Sequence, residues 1–204
     1  MVEHNEYEEI SFLDAIKDEE IMDCVIRHEV VDELTLEKYS LTNVVFEHCV
    51  FQACNFSRFD LSDVVFKHCD LSNCKWEGGY FYRTNFVNCK MVGTSFAEGR
   101  FQDTNFTQCF ASYAVFAEGT FNQTKFYHCT MQGADFYHVR HKGLVWESCN
   151  LNEANFEETA LKGLDFSRST FEVLHVDLQR VGGCKIAPDQ AVLFALMLGI
   201  EVEG

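Results

Sequence analysis

The chain has 204 residues, which suits a single domain, and its 47% apolar residues are enough for a sizeable core. Asp and Glu number 32 against 16 Lys and Arg, a net charge of −16 that repels nucleic acid and phospholipid surfaces and favours basic protein surfaces. No stretch approaches the roughly 18 apolar residues of a membrane span, and the opening MVEHNEYEEI is acidic without a signal-peptide core, so a cytoplasmic chain is expected.

Residues 1–35 carry 12 acids and two bases. Ile16, Ile21, Ile26 and Val31 recur every five residues, but Asp14, Glu19 and Glu29 stand where later pentads place a small residue. A degenerate first coil and a short helical cap both fit this segment.

From Leu36 to Ile186 every fifth residue is apolar or aromatic, with the single exception of His141. The series covers 31 positions without an insertion, and 16 of the 20 Phe fall on it, where an even spread over five phases would put about four. Two residues before nearly every centre stands a small or apolar residue, Cys at 49, 54, 69, 74, 89, 109, 129, 149 and 184, and Thr at 84, 94, 104 and 124. A five-residue period matches neither the 3.6 of a helix nor the 2.0 of a strand. It matches a chain that turns a corner every five residues, with a large and a small side chain both pointing inward.

A second period closes the coil. Cys recurs at 49, 69, 89, 109, 129 and 149, Gly at 79, 99 and 119, and Ala at 114, 134 and 154. Twenty residues are four fives, so each coil is a square and like side chains stack into ladders at the ~4.8 Å strand spacing. The expected fold is all-β: a right-handed quadrilateral parallel β-helix over 36–186. About seven and a half coils make a rod of roughly 36 Å.

Stacked thiols lie within disulfide reach, but parallel Cβ vectors are poorly aimed for the bond, so the ladder reads as packed small hydrophobes. His48 and His68 stack one coil apart at an outer corner, with their neighbours Cys49 and Cys69 facing inward, which argues against a zinc site. His141 takes a centre position and is expected as a hydrogen-bonded core histidine. Arg140, Lys142 and His138 read as a solvated corner. With no phosphate loop, no paired carboxylates in a cleft and no hydrolase elbow, neither enzyme activity nor a cofactor is expected.

Charge is uneven. Residues 36–186 hold 17 acids and 14 bases, so most of the acidity sits at the ends. One face differs: Glu77, Glu98, Glu118, Asp135, Glu153, Glu157 and Glu158 share it with a single base, Lys75. Such a stripe suits the basic saddle of a DNA-binding protein.

The five-fold pattern breaks at 187. Pro188 at a first helical position and Gly199 as C-cap bound an expected eleven-residue helix. Residues 191–198 (AVLFALML) are apolar on all sides, so one rod end cannot bury them. Val192, Leu193, Phe194, Leu196, Met197 and Ile200 are therefore expected to pair two copies, with residues 200–202 available as an added strand. Two rods end to end would span roughly 75 Å, near the length of 20 base pairs.

The pentads CNFSR, CDLSN, TNFVN, TSFAE, ADFYH and ANFEE resemble the pentapeptide-repeat family, whose motif is A(D/N)LXX. The segments LKGLDFSRSTFEVL (161–174) and KIAPDQAVLFALMLGIEV (185–202) look like the last coils and dimerising helix of its Qnr and Mfp group, most closely the chromosomal Qnr-like proteins of Gram-positive bacteria. The unbroken register differs from Gram-negative Qnr proteins, which carry projecting loops. The resemblance implies a homodimer that binds DNA gyrase or topoisomerase IV and protects it from quinolones. The wider family also contains interaction proteins with unrelated partners.

Overall fold

The backbone conformation that turns a corner every five residues is left-handed. In the computed structural model, which describes residues 7–17 and 20–203, each fifth residue from Asp23 to Gly163 has φ between 47° and 89°. A β-branched side chain or proline is costly there. None occurs at these positions, which hold Asp, Asn, His, Glu, Gln, Arg, Lys, Tyr, Ser, Ala and Gly. The run ends before Arg168, and Val173 is the first β-branched residue in this phase.

The result is a parallel β-solenoid with a twenty-residue register. Residues of successive coils pair directly, as in Phe86↔Phe106 and Phe106↔Phe126. Two adjacent faces form a continuous sheet of short strands. The first is centred on residues 21, 41, 61, 81, 101, 121 and 141, and the second on 26, 46, 66, 86, 106, 126 and 146. The eight-residue strands Glu20–Arg27 and Ser40–Glu47 run round the corner between them. The third face (51, 71, 91, 111, 131, 151) and fourth face (56, 76, 96, 116, 136, 156) are mostly single bridges between turns. In these turns the amide of the fourth residue bonds the carbonyl of the first, as Thr94 N–H does to Met91, with Gly93 left-handed between them. That combination is a type II turn.

The interior is stacked rings. Along the second face Phe46, Phe66, Phe86, Phe106 and Phe126 lie 4.5 to 5.0 Å apart and nearly parallel. Rings from other faces meet them edge-on, as Phe116 meets Phe106 at 6.0 Å and 84°. Both arrangements suit the ring quadrupole. The small inward residues do more than fill space. The sulfurs of Cys89, Cys109 and Cys129 donate to the carbonyls of Phe66, Phe86 and Phe106 in the preceding coil at 3.4 Å, and the Thr104 hydroxyl donates to Phe81 at 2.9 Å. Cys24, outside the run that starts at Leu36, holds the same phase, pairs with Val44 and is buried. Gly99 serves a different need: a Cβ there would lie 2.8 Å from the Phe96 carbonyl oxygen and 2.9 Å from the Phe101 ring.

Both ends are plugged. A one-turn helix, α1 (Phe12–Ala15), is capped by the Ser11 side chain. It drives Phe12 edge-on into Phe46, Phe51 and Phe56. Glu29, in a position meant for a small residue, accepts from the Phe12 N–H at 3.3 Å. A cap and a first coil starting at Glu20 are therefore both present; Glu19 lies outside the described residues.

At the other end the second helix, α2, spans Ala191–Met197, seven residues instead of the expected eleven. Pro188 belongs to the preceding turn. The shortening follows from Gln190, whose buried amide donates to the Phe166 and Ser169 carbonyls and accepts from the Ala187 N–H, closing the open end of the shaft. Residues 200–203 form no strand.

Candidate interaction surface

The shaft is filled, so the features available to a partner are its outer ladders. An open notch of about 540 Å³ lies at the C-terminal end, beside Glu158, Arg180 and Met197. Among the described residues no group of three or more His, Cys, Asp or Glu is placed to hold a metal ion. His48 and His68 stack at 4.9 Å, and His28 extends the stack at 5.3 Å. All three occupy left-handed corners on the outer surface. His141 pairs in register with Phe121 and bonds the Ala160 carbonyl at 2.7 Å, but is half-exposed instead of fully buried.

Cys24, Cys74 and Cys129 are held protonated. Burial pushes Cys74 up to about 12 and Cys24 up to about 11. The adjoining Cys109 thiol, followed by burial, pushes Cys129 up to about 12. All ten cysteines are free, and all but Cys184 are buried. Protonated, enclosed sulfurs are poor nucleophiles and poor ligands.

The acidic residues lie on the fourth face and its two edges. Glu98 and Glu118 occupy equivalent exposed corners on successive coils. Glu157 and Glu158 lie two coils further on, but Glu158 is ion-paired with Arg180. Glu77 and Asp135 are half-buried, Glu77 accepting from the Ser95 hydroxyl and Asp135 from Asn155 and the Tyr137 N–H. Glu153 sits on the opposite edge, at the corner with the third face. Lys75 is exposed on the same face.

Round the next corner lie Arg140, expected as part of a solvated corner, and Arg100, to which the sequence drew no attention. Arg100 and Arg140, two residues beyond Glu98 and His138, open the exposed edge of first-face strands. Of the seven Arg in the chain, Arg27, Arg58, Arg83, Arg168 and Arg180 are ion-paired, whereas Arg100 and Arg140 have no ion-pair partner among the described residues. The signal was available at the twenty-residue spacing, as a column that turns from acid to base along the rod.

At the C-terminus the apolar girdle of α2 is divided. Leu193, Phe194 and Met197 pack partly against the end of the shaft. Val192, Leu196 and Ile200 are 42%, 55% and 53% exposed, joined by Leu198 and Val202.

Two solved structures give the comparison in three dimensions. A trypsin-treated variant of QnrB1, a plasmid-mediated fluoroquinolone resistance protein, is 22% identical, with 88% of this chain and 99% of that one covered, at a TM-score of 0.54. The pentapeptide-repeat protein Rfr23 of the cyanobacterium Cyanothece is 9% identical, with 67% and 100% covered and a TM-score of 0.49. At such identities the likeness to QnrB1 concerns the fold. No curated protein matches by sequence. The family model "Pentapeptide repeat region" matches residues 79–156, and "Pentapeptide repeats (8 copies)" matches 40–75 and 147–172. Together with the solenoid itself, these matches establish that the chain belongs to the pentapeptide-repeat family.

Proposed function

We propose that this chain is a cytoplasmic, cofactor-free binding protein that imitates a DNA segment. Its target is DNA gyrase or topoisomerase IV, which it protects from quinolones or regulates. The carrying observation is the exposed carboxylate line of the fourth face, where Glu98 and Glu118 stack on one edge with Glu157 two coils away. Two stacked carboxylates ~4.8 Å apart, with Glu157 two coils on, offer a basic saddle a line of negative charge along one edge of the rod. The shared fold with QnrB1 supports this target. The exposed residues of α2 support an end-to-end homodimer, whose roughly 75 Å length matches about 20 base pairs.

The test is binding to purified gyrase. Changing Glu98 and Glu118 together to Lys reverses four charges per chain and should abolish binding, while the same reversal at Asp63 and Asp103, at the corner between the first and second faces, should leave most of it. Duplex DNA should compete. Equal loss from both double variants would indicate net charge and exclude a shaped mimic.

A second reading has an observation in its favour. Arg100 and Arg140 border the stripe, which interrupts a uniformly acidic surface. On that reading the protein is a scaffold for an unrelated partner, and purified gyrase does not bind at all.

A further inference from the structure

The first face carries a ladder whose charges are antisymmetric along the rod. Glu20, Ser40, Asp60, Tyr80, Arg100, Thr120 and Arg140 stack in unbroken parallel register. Counted outward from Tyr80, each acid on one side has a base at equal distance on the other: Asp60 answers Arg100, and Glu20 answers Arg140. Ser40 answers Thr120, polar against polar. The four charged residues are exposed, and none has an ion-pair partner among the described residues.

An unpaired, antisymmetric charge column is complementary to itself when turned end for end. We infer that two copies associate side by side through their first faces, antiparallel, about a twofold axis lying along the Tyr80 strand. That operation returns each column to itself, as an isologous interface requires. Asp60 then faces the partner's Arg100, Glu20 faces the partner's Arg140, and Tyr80 meets Tyr80 of the partner subunit.

The adjoining column fits the same axis. Tyr82 lies on it, its ring parallel to Tyr80 at 6.3 Å. Ser62 answers Gln102, Thr42 answers Asn122, and Met22 answers the aliphatic stem of Lys142, so no like charges meet there. At the corner column Asp63 would face Asp103, but Arg83, held against both Asp63 and the Tyr82 ring, lies at the axis from both copies and offsets them.

Size sets the strength. Three-residue strands over seven rungs give a strip roughly 10 Å by 30 Å, well below the ~800 Å² per partner of a stable complex. Complementary charge orients such a pair more than it tightens it, so the association should be weak and sensitive to salt. It uses no residue of α2 and is independent of the topoisomerase reading.

The charge column builds its own control, because both members of each pair lie on one chain. Sedimentation of the full chain carrying Leu196→Asp, which silences the end-to-end contact, should show side-by-side dimers at low salt and monomers at high salt. Asp60→Arg alone or Arg100→Asp alone should weaken dimerisation roughly tenfold. Asp60→Arg combined with Arg100→Asp should restore it. In the chain with native α2, Tyr80→Cys should form a disulfide-linked dimer under mild oxidation. Ser40→Cys should not link alone, but should link when combined with Thr120→Cys. A double swap as weak as the single changes would mean that the basic half receives some other anionic partner, and the inference falls. Failure of Tyr80→Cys to link at low salt overturns it as well.

Discussion

Phe106 shows what one pentad centre contributes. Its ring lies between Phe86 at 4.7 Å and Phe126 at 4.5 Å and is wholly buried. Phe106→Ala should cost about 3–5 kcal/mol in urea unfolding, since stacked coils cannot collapse onto the void. Cys109 next to it should be far more tolerant: Cys109→Ser keeps a donor to the Phe86 carbonyl, and a loss of about 1 kcal/mol or less is expected. At the corners the constraint is backbone. Gln108, with φ of 54°, should lose about 1–2 kcal/mol on change to Val but little on change to Gly. The thiols also predict a pH profile. Cys74 and Cys24 stay protonated in the fold above their ordinary value of 9.0, up to about 12 and about 11. Below pH 9 both states are protonated, and this contribution is flat. As pH rises from about 9 to 12 only the unfolded chain ionises, so stability measured by denaturant should fall across that window.

A coil touches only its neighbours, so the elements at the ends govern local opening more than the whole fold. Gln190 satisfies two carbonyls of the last coil. Gln190→Ala should leave them unpaired at a cost of about 1–3 kcal/mol. Native-state hydrogen exchange should place the loss in residues 161–186, with the Phe86–Phe126 coils still protected. Changing Leu193 and Leu196 together to Asp should abolish the proposed end-to-end dimer in sedimentation while keeping the β circular dichroism. A wild-type chain unable to associate through α2 would remove the length match to DNA.

At the scale of the molecule, charge decides partners. The −16 total is concentrated at the ends, while the rod carries an acidic edge beside a ladder that turns from acid to base. Two salt dependences should result. The proposed gyrase binding through the fourth-face edge should weaken as ionic strength rises, because exposed charges are screened beyond ~8–10 Å. Side-by-side pairing through the first face should weaken too. The two are separable, since Glu98 and Glu118 lie outside the Asp60–Arg100 column.

Much of this architecture follows from sequence periodicity. A five-residue period with rings on one phase and small residues on another admits an inward-facing corner chain, and a twenty-residue period among Cys, Gly and Ala sets four corners to the coil. Both are local repeats, so tertiary context has little to override. Three features had to await the folded chain, for the same physical reason. Phe12 and Gln190 plug the ends by reaching residues 17 and more positions away, and nothing in their own spacing announces those contacts. The split of α2 into packed and exposed sides depends on where the last coil stops. The ion pairs depend on geometry between coils, and they alone distinguish Glu158, neutralised by Arg180, from Glu118, and leave Arg100 and Arg140 without an ion-pair partner among the described residues. Periodicity determines which residues stack; only packing across coils and at the ends decides which charges and apolar surfaces remain for a partner.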